Sequence, residues 1–147
     1  MGSWWRNGSA KVLRRIRRKM SEYVSWKAGD PKIKPAPQKI KPKTWTLLKF
    51  DEGDAIVPKS AGTAIWGFYV NVEELGGAKS MKLRWLREPN GIKDFTGQKT
   101  LDLGLSNIHS DIWMFNAKKG QPVGIEVYHA GASDMTIITR ECKMWIP

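Results

Sequence analysis

The chain has 147 residues, 41% of them hydrophobic, a single cysteine, Cys142, and a formal net charge of +11. That length suits one domain with its own core, and one cysteine excludes an internal disulfide and fits synthesis in a reducing compartment, the bacterial or host cytoplasm. No uninterrupted apolar run approaches the ~20 residues of a membrane-spanning helix, and near the N-terminus Val12, Leu13 and Ile16 are interrupted by Arg14, Arg15, Arg17 and Arg18, unlike a secretory leader.

The charge is not spread evenly. Residues 1–43 carry thirteen Lys and Arg against Glu22 and Asp30, so the whole net charge lies there, and residues 44–147 are balanced at twelve against twelve. This divides the chain into a basic N-terminal arm, 1–43, and a neutral domain, 44–147, expected to fold by itself.

Within the arm, Ser9 is a suitable N-cap and the run to Trp26 has helical periodicity, which predicts a helix over 9–26. At ~100° per residue Val12, Leu13, Ile16, Met20, Tyr23 and Val24 fall within an arc of about 120°. Lys11, Arg14, Arg15, Arg17, Arg18, Lys19 and Glu22 take the other side. Such a helix either packs on its own domain with a solvated basic face or docks on a partner. Trp4 and Trp5 precede it, large anchors of the kind that dominate interface energetics, and the partner-binding candidates are therefore Trp4, Trp5, Val12, Leu13, Ile16, Met20, Tyr23 and Val24. Arg14, Arg15, Arg17, Arg18 and Lys19 are candidate phosphate contacts. From Lys27 to Lys43, Pro31, Pro35, Pro37 and Pro42 interleave with lysines and Lys-Ile-Lys-Pro occurs twice, predicting an extended, semi-rigid linker over 27–43. At ~3.1 Å per residue it would reach roughly 50 Å.

From Thr44 the period changes to two. Trp66, Phe68, Val70 and Val72 alternate with Gly67, Tyr69 and Asn71; Met81, Leu83 and Trp85 with Lys82 and Arg84; Leu101, Leu103 and Leu105 with Asp102 and Gly104. Val123, Ile125 and Val127 make another set. The last stretch places Ile138, Cys142, Met144 and Ile146 on one parity, with Arg140 interrupting it. Thr44–Phe50 and 111–115 are shorter candidates, giving about seven strands with Ala55–Val57 as an eighth. Glu52-Gly53-Asp54, Gly76-Gly77, Asn90-Gly91, Gly120 and Ala130-Gly131 punctuate the runs, Asn90-Gly91 being the strongest hairpin signal. Short strands at this spacing without intervening helices predict an all-β fold, an antiparallel β-sandwich or jelly roll.

Candidate chemistry is sparse. His109 and His129, with Asp111, Glu126 and Asp134, match no metal-ligand spacing, and His129 shares the parity of Val127, so a structural histidine is the expectation. Cys142 lies on an apolar parity and reads as a small core residue; only Arg140, two residues away, argues for an activated thiol. Asp51, Glu52 and Asp54 read as turn chemistry rather than a calcium loop. No phosphate-binding loop, nucleophile elbow or zinc-protease helix is present, so no enzyme, metal or cofactor is expected. Eight tryptophans are many for this length. Trp66 and Trp85 have core parity, whereas Trp45, Trp113 and Trp145 could serve subunit contacts or, alternatively, a carbohydrate site.

One resemblance bears on function. The run Leu83-Arg84-Trp85-Leu86-Arg87, then Asn90-Gly91 and Asp94-Phe95-Thr96-Gly97, then Gly120-Gln121-Pro122, Glu126-Val127-Tyr128-His129 and a last strand ending at Ile146, resembles the small β-sandwich structural proteins of long-tailed bacteriophages, their minor tail or decoration subunits. The resemblance covers 44–147 and implies a virion protein made in the bacterial cytoplasm, assembled as a homo-oligomer, a trimer being common among such sandwiches. The expected function is therefore a structural subunit of a large assembly, anchored by its arm and presenting a β-sandwich. The alternatives are nucleic-acid or ribosome association through the basic arm, and docking to a membrane surface or a carbohydrate.

Overall fold

The structure is a computed structural model that describes residues 22–29, 36–88, 94–104 and 107–147. Among these, nine strands form two antiparallel sheets. In chain order they are β1 (Glu22–Ala28), β2 (Gln38–Ile40), β3 (Thr46–Leu47), β4 (Gly62–Glu74), β5 (Ser80–Arg87), β6 (Asp94–Asp102), β7 (Ile108–Ala117), β8 (Val123–His129) and β9 (Met135–Ile146). One sheet runs β1-β9-β4-β7, with β2 also paired to β9; the other runs β3-β8-β5-β6. The all-β sandwich of jelly-roll type expected from the alternation is what the chain forms.

The core lies between the sheets and is built from the apolar parity of each strand. Ala64, Trp66, Phe68, Val70 and Val72 of β4 face Met81, Leu83 and Trp85 of β5 and Val123, Ile125 and Val127 of β8, all buried. Trp66 sits with its ring centroid 5.6 Å from that of Trp85 and 5.2 Å from that of Phe115, so the aromatic residues join the two layers. Gly76 and Gly77, both at positive φ, turn β4 into β5, and Gly120 does the same between β7 and β8. The Asn90-Gly91 turn lies outside the described residues, but the strands on either side, β5 and β6, pair antiparallel from Arg87↔Asp94 onward.

Four expectations are corrected. First, Glu22–Trp26 are strand rather than the end of a helix: all of β1 pairs with β9, from Glu22↔Ile146 to Ala28↔Arg140. Val24 and Trp26 pack against the core and Ala28 is buried, while Tyr23 points outward, so Tyr23 and Val24 lie on opposite faces instead of sharing one stripe. The segment satisfies both periods, and a waiting edge of β9 decides for the strand. The rest of the predicted helix, before Glu22, lies outside the described residues.

Second, the boundary at Lys43 does not separate linker from domain. Ile40 is fully buried, and β2 pairs with β9 from Gln38↔Ile137 to Ile40↔Met135. Pro37 and Pro42 flank this short edge strand, where a missing N–H is tolerated. Gln38 bridges to the next segment, its Nε2 donating to the Leu47 carbonyl at 2.9 Å and its Oε1 accepting from Lys49 N at 2.9 Å.

Third, Ile138 does not belong to the inner face of β9, although Arg140 does stand there as a cation among apolar residues. Asn71 pairs with Thr139 and Val72 with Ile137, leaving Ile138 as a bulge that inverts the parity. Met135 and Ile137 are buried before it, and Arg140, Cys142, Met144 and Ile146 after it. The guanidinium donates to the Lys49 carbonyl and, at 2.6 Å, to the Ala36 carbonyl, which is how a cation is accommodated there.

Fourth, several strand limits move. Regular pairing within 44–50 is confined to β3, Ile56 makes a single bridge to Val123, and the leucine run expected as a strand over 101–105 is the end of the longer β6, with Leu103 buried just beyond it.

Candidate interaction surface

A sheet that buries one face presents the other parity to solvent, and in the β1-β9-β4-β7 sheet that parity is unusually apolar. Reading straight across the register, Tyr23 of β1 lies opposite Trp145 of β9, Trp145 opposite Ile65 of β4, and Ile65 opposite Met114 of β7. At ~4.8 Å between strands this row is about 14 Å wide. The next row is Ser25, Lys143, Gly67 and Ile112, and the one after it Lys27, Glu141, Tyr69 and Ser110. The face thus grades from apolar, at the end where β1 begins and β9 ends, to polar.

Three of the large apolar side chains exposed among the described residues stand at the apolar end, Ile112 at 66%, Met114 at 59% and Tyr23 at 50%, and a fourth on this face, Ile108 at 53%, stands at the other end of β7. Tyr23 packs on Trp145 with ring centroids 5.6 Å apart. Trp145 leans toward Gly67, where an added Cβ would lie 3.4 Å from the indole ring. Beside it is a hollow of about 410 Å³ lined by Ile65, Ile112, Trp145, Ile146 and Pro147. Knobs and hollow share one surface, and no polar side chain lines the hollow.

Charge on this face is largely neutralised within it. Lys143 Nζ lies 2.8 Å from Glu141 Oε1, and Lys27 Nζ is 3.9 Å from Glu141 Oε2. The hydrogen bond that Lys143 donates to Glu141, reinforced by the carboxylate's charge, raises the Lys143 pKa above that of an ordinary lysine.

The outer face of the other sheet is organised differently. The Arg84 guanidinium is clamped between Trp45 and Phe95, 3.9 and 3.5 Å from their centroids, and its Nη2 and Nε donate to Glu126 Oε1 at 2.9 and 3.1 Å. Tyr128 lies beside Trp45, at 5.4 Å, and Lys82 Nζ over Tyr128. Trp45 is therefore engaged by its own neighbours, with the Arg84 guanidinium over its ring. Trp113 turns inward onto Trp85 and Phe115. Of the three tryptophans without an assigned face, only Trp145 belongs to the apolar surface.

The remaining candidates separate. His129 is buried; its Nδ1 accepts from Gly131 N at 3.2 Å, so its Nε2–H donates to the Ile40 carbonyl at 2.6 Å, and the imidazole serves as a brace for β2. His109 is buried on the inner side of β7. Glu126 is committed to Arg84 and Asp111 to Lys99, at 2.9 Å in each case. Among the described residues no three His, Cys, Asp or Glu come together as a metal site would require. Cys142 is buried, and burial, with the nearby Glu141 charge second, pushes its thiol far above the ordinary range, the opposite of an activated nucleophile. Glu52 accepts from Lys27 N at 3.1 Å within the 50–53 turn, in keeping with turn chemistry.

Of the residues read as partner-binding, Tyr23 is on the exposed face and Val24 is in the core side of β1. Trp4, Trp5, Val12, Leu13, Ile16 and Met20, and the cations Arg14, Arg15, Arg17, Arg18 and Lys19, lie outside the described residues. Ile65, Ile112 and Met114 were missed. The signal that could have found Ile112 and Met114 was present, since both occupy the parity opposite to Trp113 and Phe115.

No sequence-family model and no curated protein sequence matches this chain. Solved structures do share its fold. Eiger TNF from S. frugiperda superimposes with a TM-score of 0.57 at 7% identity, covering 85% of this chain and 92% of that one. Murine APRIL at pH 8.5 gives 0.54 at 11%, covering 86% and 100%, and the globular domain of the zebrafish complement 1qA protein 0.51 at 13%, covering 84% and 93%. At such identities the likeness is one of architecture: the chain folds as a jelly-roll sandwich of the kind seen in TNF-like and C1q-like domains.

Proposed function

We propose that the chain is a structural subunit of a large assembly of the bacteriophage-virion kind, and that it self-associates through the outer face of the β1-β9-β4-β7 sheet into a closed homo-oligomer, three copies being the expected number. The observation that carries this reading is the row Tyr23, Trp145, Ile65 and Met114 with Ile112 beside it, apolar side chains of which Tyr23, Ile112 and Met114 are exposed and Trp145 and Ile65 half-buried. Burying a side chain such as Ile112 or Met114 contributes about 1.5 kcal/mol per copy, so a ring of such contacts suffices for association. The virion setting rests on the resemblance of 44–147 to phage tail and decoration sandwiches, and residues 1–21, with seven Lys and Arg and no acid ahead of the sandwich, agree with a subunit that anchors by one part and packs by the other.

Sedimentation of the full chain at micromolar concentration tests the association. A discrete oligomer is expected, and Ile112→Lys with Met114→Lys should reduce it to a folded monomer, because a buried ammonium without a partner is strongly unfavourable. A wild-type chain that is monomeric throughout, or a doubly substituted chain that stays oligomeric, refutes the reading.

A further inference from the structure

We propose that the apolar hollow lined by Ile65, Ile112, Trp145 and Pro147 is the seat of the N-terminal arm of a neighbouring copy, which places Ile16 and Met20 of one chain against the sheet of the next. The inference rests on self-association through this face and names the segment that fills it. Three observations lead there.

The first is where the described chain begins. Glu22 pairs with Ile146, one residue from Pro147, so the arm joins the sandwich at the apolar end of the face, at the rim of the hollow. Its entry is pinned, since the Glu22 carboxylate accepts from Lys59 N at 2.8 and 2.9 Å and from Ser60 N at 3.2 Å.

The second is direction. β1 runs along the edge of the sheet, and traced backward from Glu22 it leads off the sheet's end rather than over its face. To cover its own hollow the chain would have to reverse at once, and between Ala10 and Ala28 there is no Gly, Pro, Asn or Asp, the turn-forming residues in that window being Ser21 and Ser25. A segment that continued along the axis of β1 would reach a second molecule instead.

The third is complementarity of composition. Val12, Leu13, Ile16 and Met20 recur at spacings of three or four with cations on the remaining positions, one apolar stripe in a segment that is otherwise charged. The hollow is lined by apolar residues and bordered by the rows that contain Lys143 and Glu141. Each is the kind of surface the other lacks, and exchange of arms between identical chains closes both without a third component.

Cross-linking on the full chain decides the matter, and the buried Cys142 leaves introduced thiols as the reactive ones. Copies carrying Ile16→Cys are mixed during refolding with isotopically heavier copies carrying Ile112→Cys and treated with a short bis-maleimide. Linked pairs of one light and one heavy chain are expected as the main product. A chain carrying both substitutions that links only within itself overturns the proposal in favour of an arm folded on its own sheet. An oligomer by sedimentation that yields no link overturns the arm's placement while leaving self-association intact, and a monomer removes both. As a second measurement, Ile16→Asp should weaken association at least tenfold while its circular dichroism spectrum stays that of the folded sandwich; undiminished association overturns the proposal.

Discussion

Beginning the chain at Thr44 removes β1 and β2, and the structure sets the size of the effect. Ile40 is fully buried and Ala28 nearly so, with Val24 and Trp26 packed against the core. Losing the burial of Ile40 costs about 2–3 kcal/mol, and of Trp26 and Val24 together about as much again. Two buried donors lose acceptors at the same stroke: His129 Nε2–H loses the Ile40 carbonyl and Arg140 loses that of Ala36. An orphaned buried donor costs about 1–3 kcal/mol, more for a charged one. Against a typical domain stability of about 5–15 kcal/mol, the shortened chain should be unfolded or aggregated at room temperature. The edge of β9 left open adds a reason for aggregation. A chain beginning at Glu22 keeps both strands and should melt cooperatively within a few degrees of the full chain. Circular dichroism melts of the three chains are the assay. If the chain from Thr44 melts cooperatively within about 10 °C of the full chain, a displacement worth roughly 2–4 kcal/mol, then β1 and β2 are appendages and the boundary drawn from charge alone is the physical one.

Two further outcomes follow from the interior. His129→Ala removes the Ile40 bond and leaves a cavity between β8 and β2, so a loss of about 2–4 kcal/mol in denaturant midpoint experiments is expected, with exposure of 36–43 to protease as the local sign; an unchanged midpoint would show that β2 is held without it. Because burial raises the Cys142 pKa, the thiol stays protonated in the folded state above the pH at which a free cysteine ionises, and a disulfide reagent at pH 8 should label it only at the rate of unfolding. Rapid labelling of the native protein would contradict that burial.

The strands with one buried and one solvated side were legible because alternation is a local property. Trp66 to Val72, Met81 to Trp85 and Val123 to Val127 each carry their own face assignment, and the Gly-containing breaks between them mark the turns. The places where the reading failed need a neighbour to decide them. Glu22–Ala28 fits a helix by one count and a strand by another, and only the free edge of β9 settles which is formed. The Pro/Lys segment around Ile40 looks like a spacer until His129, Arg140 and Gln38 are seen to bind its surroundings. Ile138 looks like an inner residue by alternation because the one-residue bulge there, invisible in the alternation itself, inverts the parity of β9. The candidate surface is the same case on a larger scale: Ile65, Ile112, Met114 and Trp145 come from three strands with no common sequence pattern, and pairing register alone brings them together in two adjacent rows. Composition and periodicity determined the sandwich class, the basic arm and the identity of most core residues, since each depends on residues within a few positions of one another. The tertiary structure decided where the domain begins, which buried polar groups brace it and which face is left apolar, since those depend on contacts between residues as far apart as Ala36 and Arg140 or Tyr23 and Trp145.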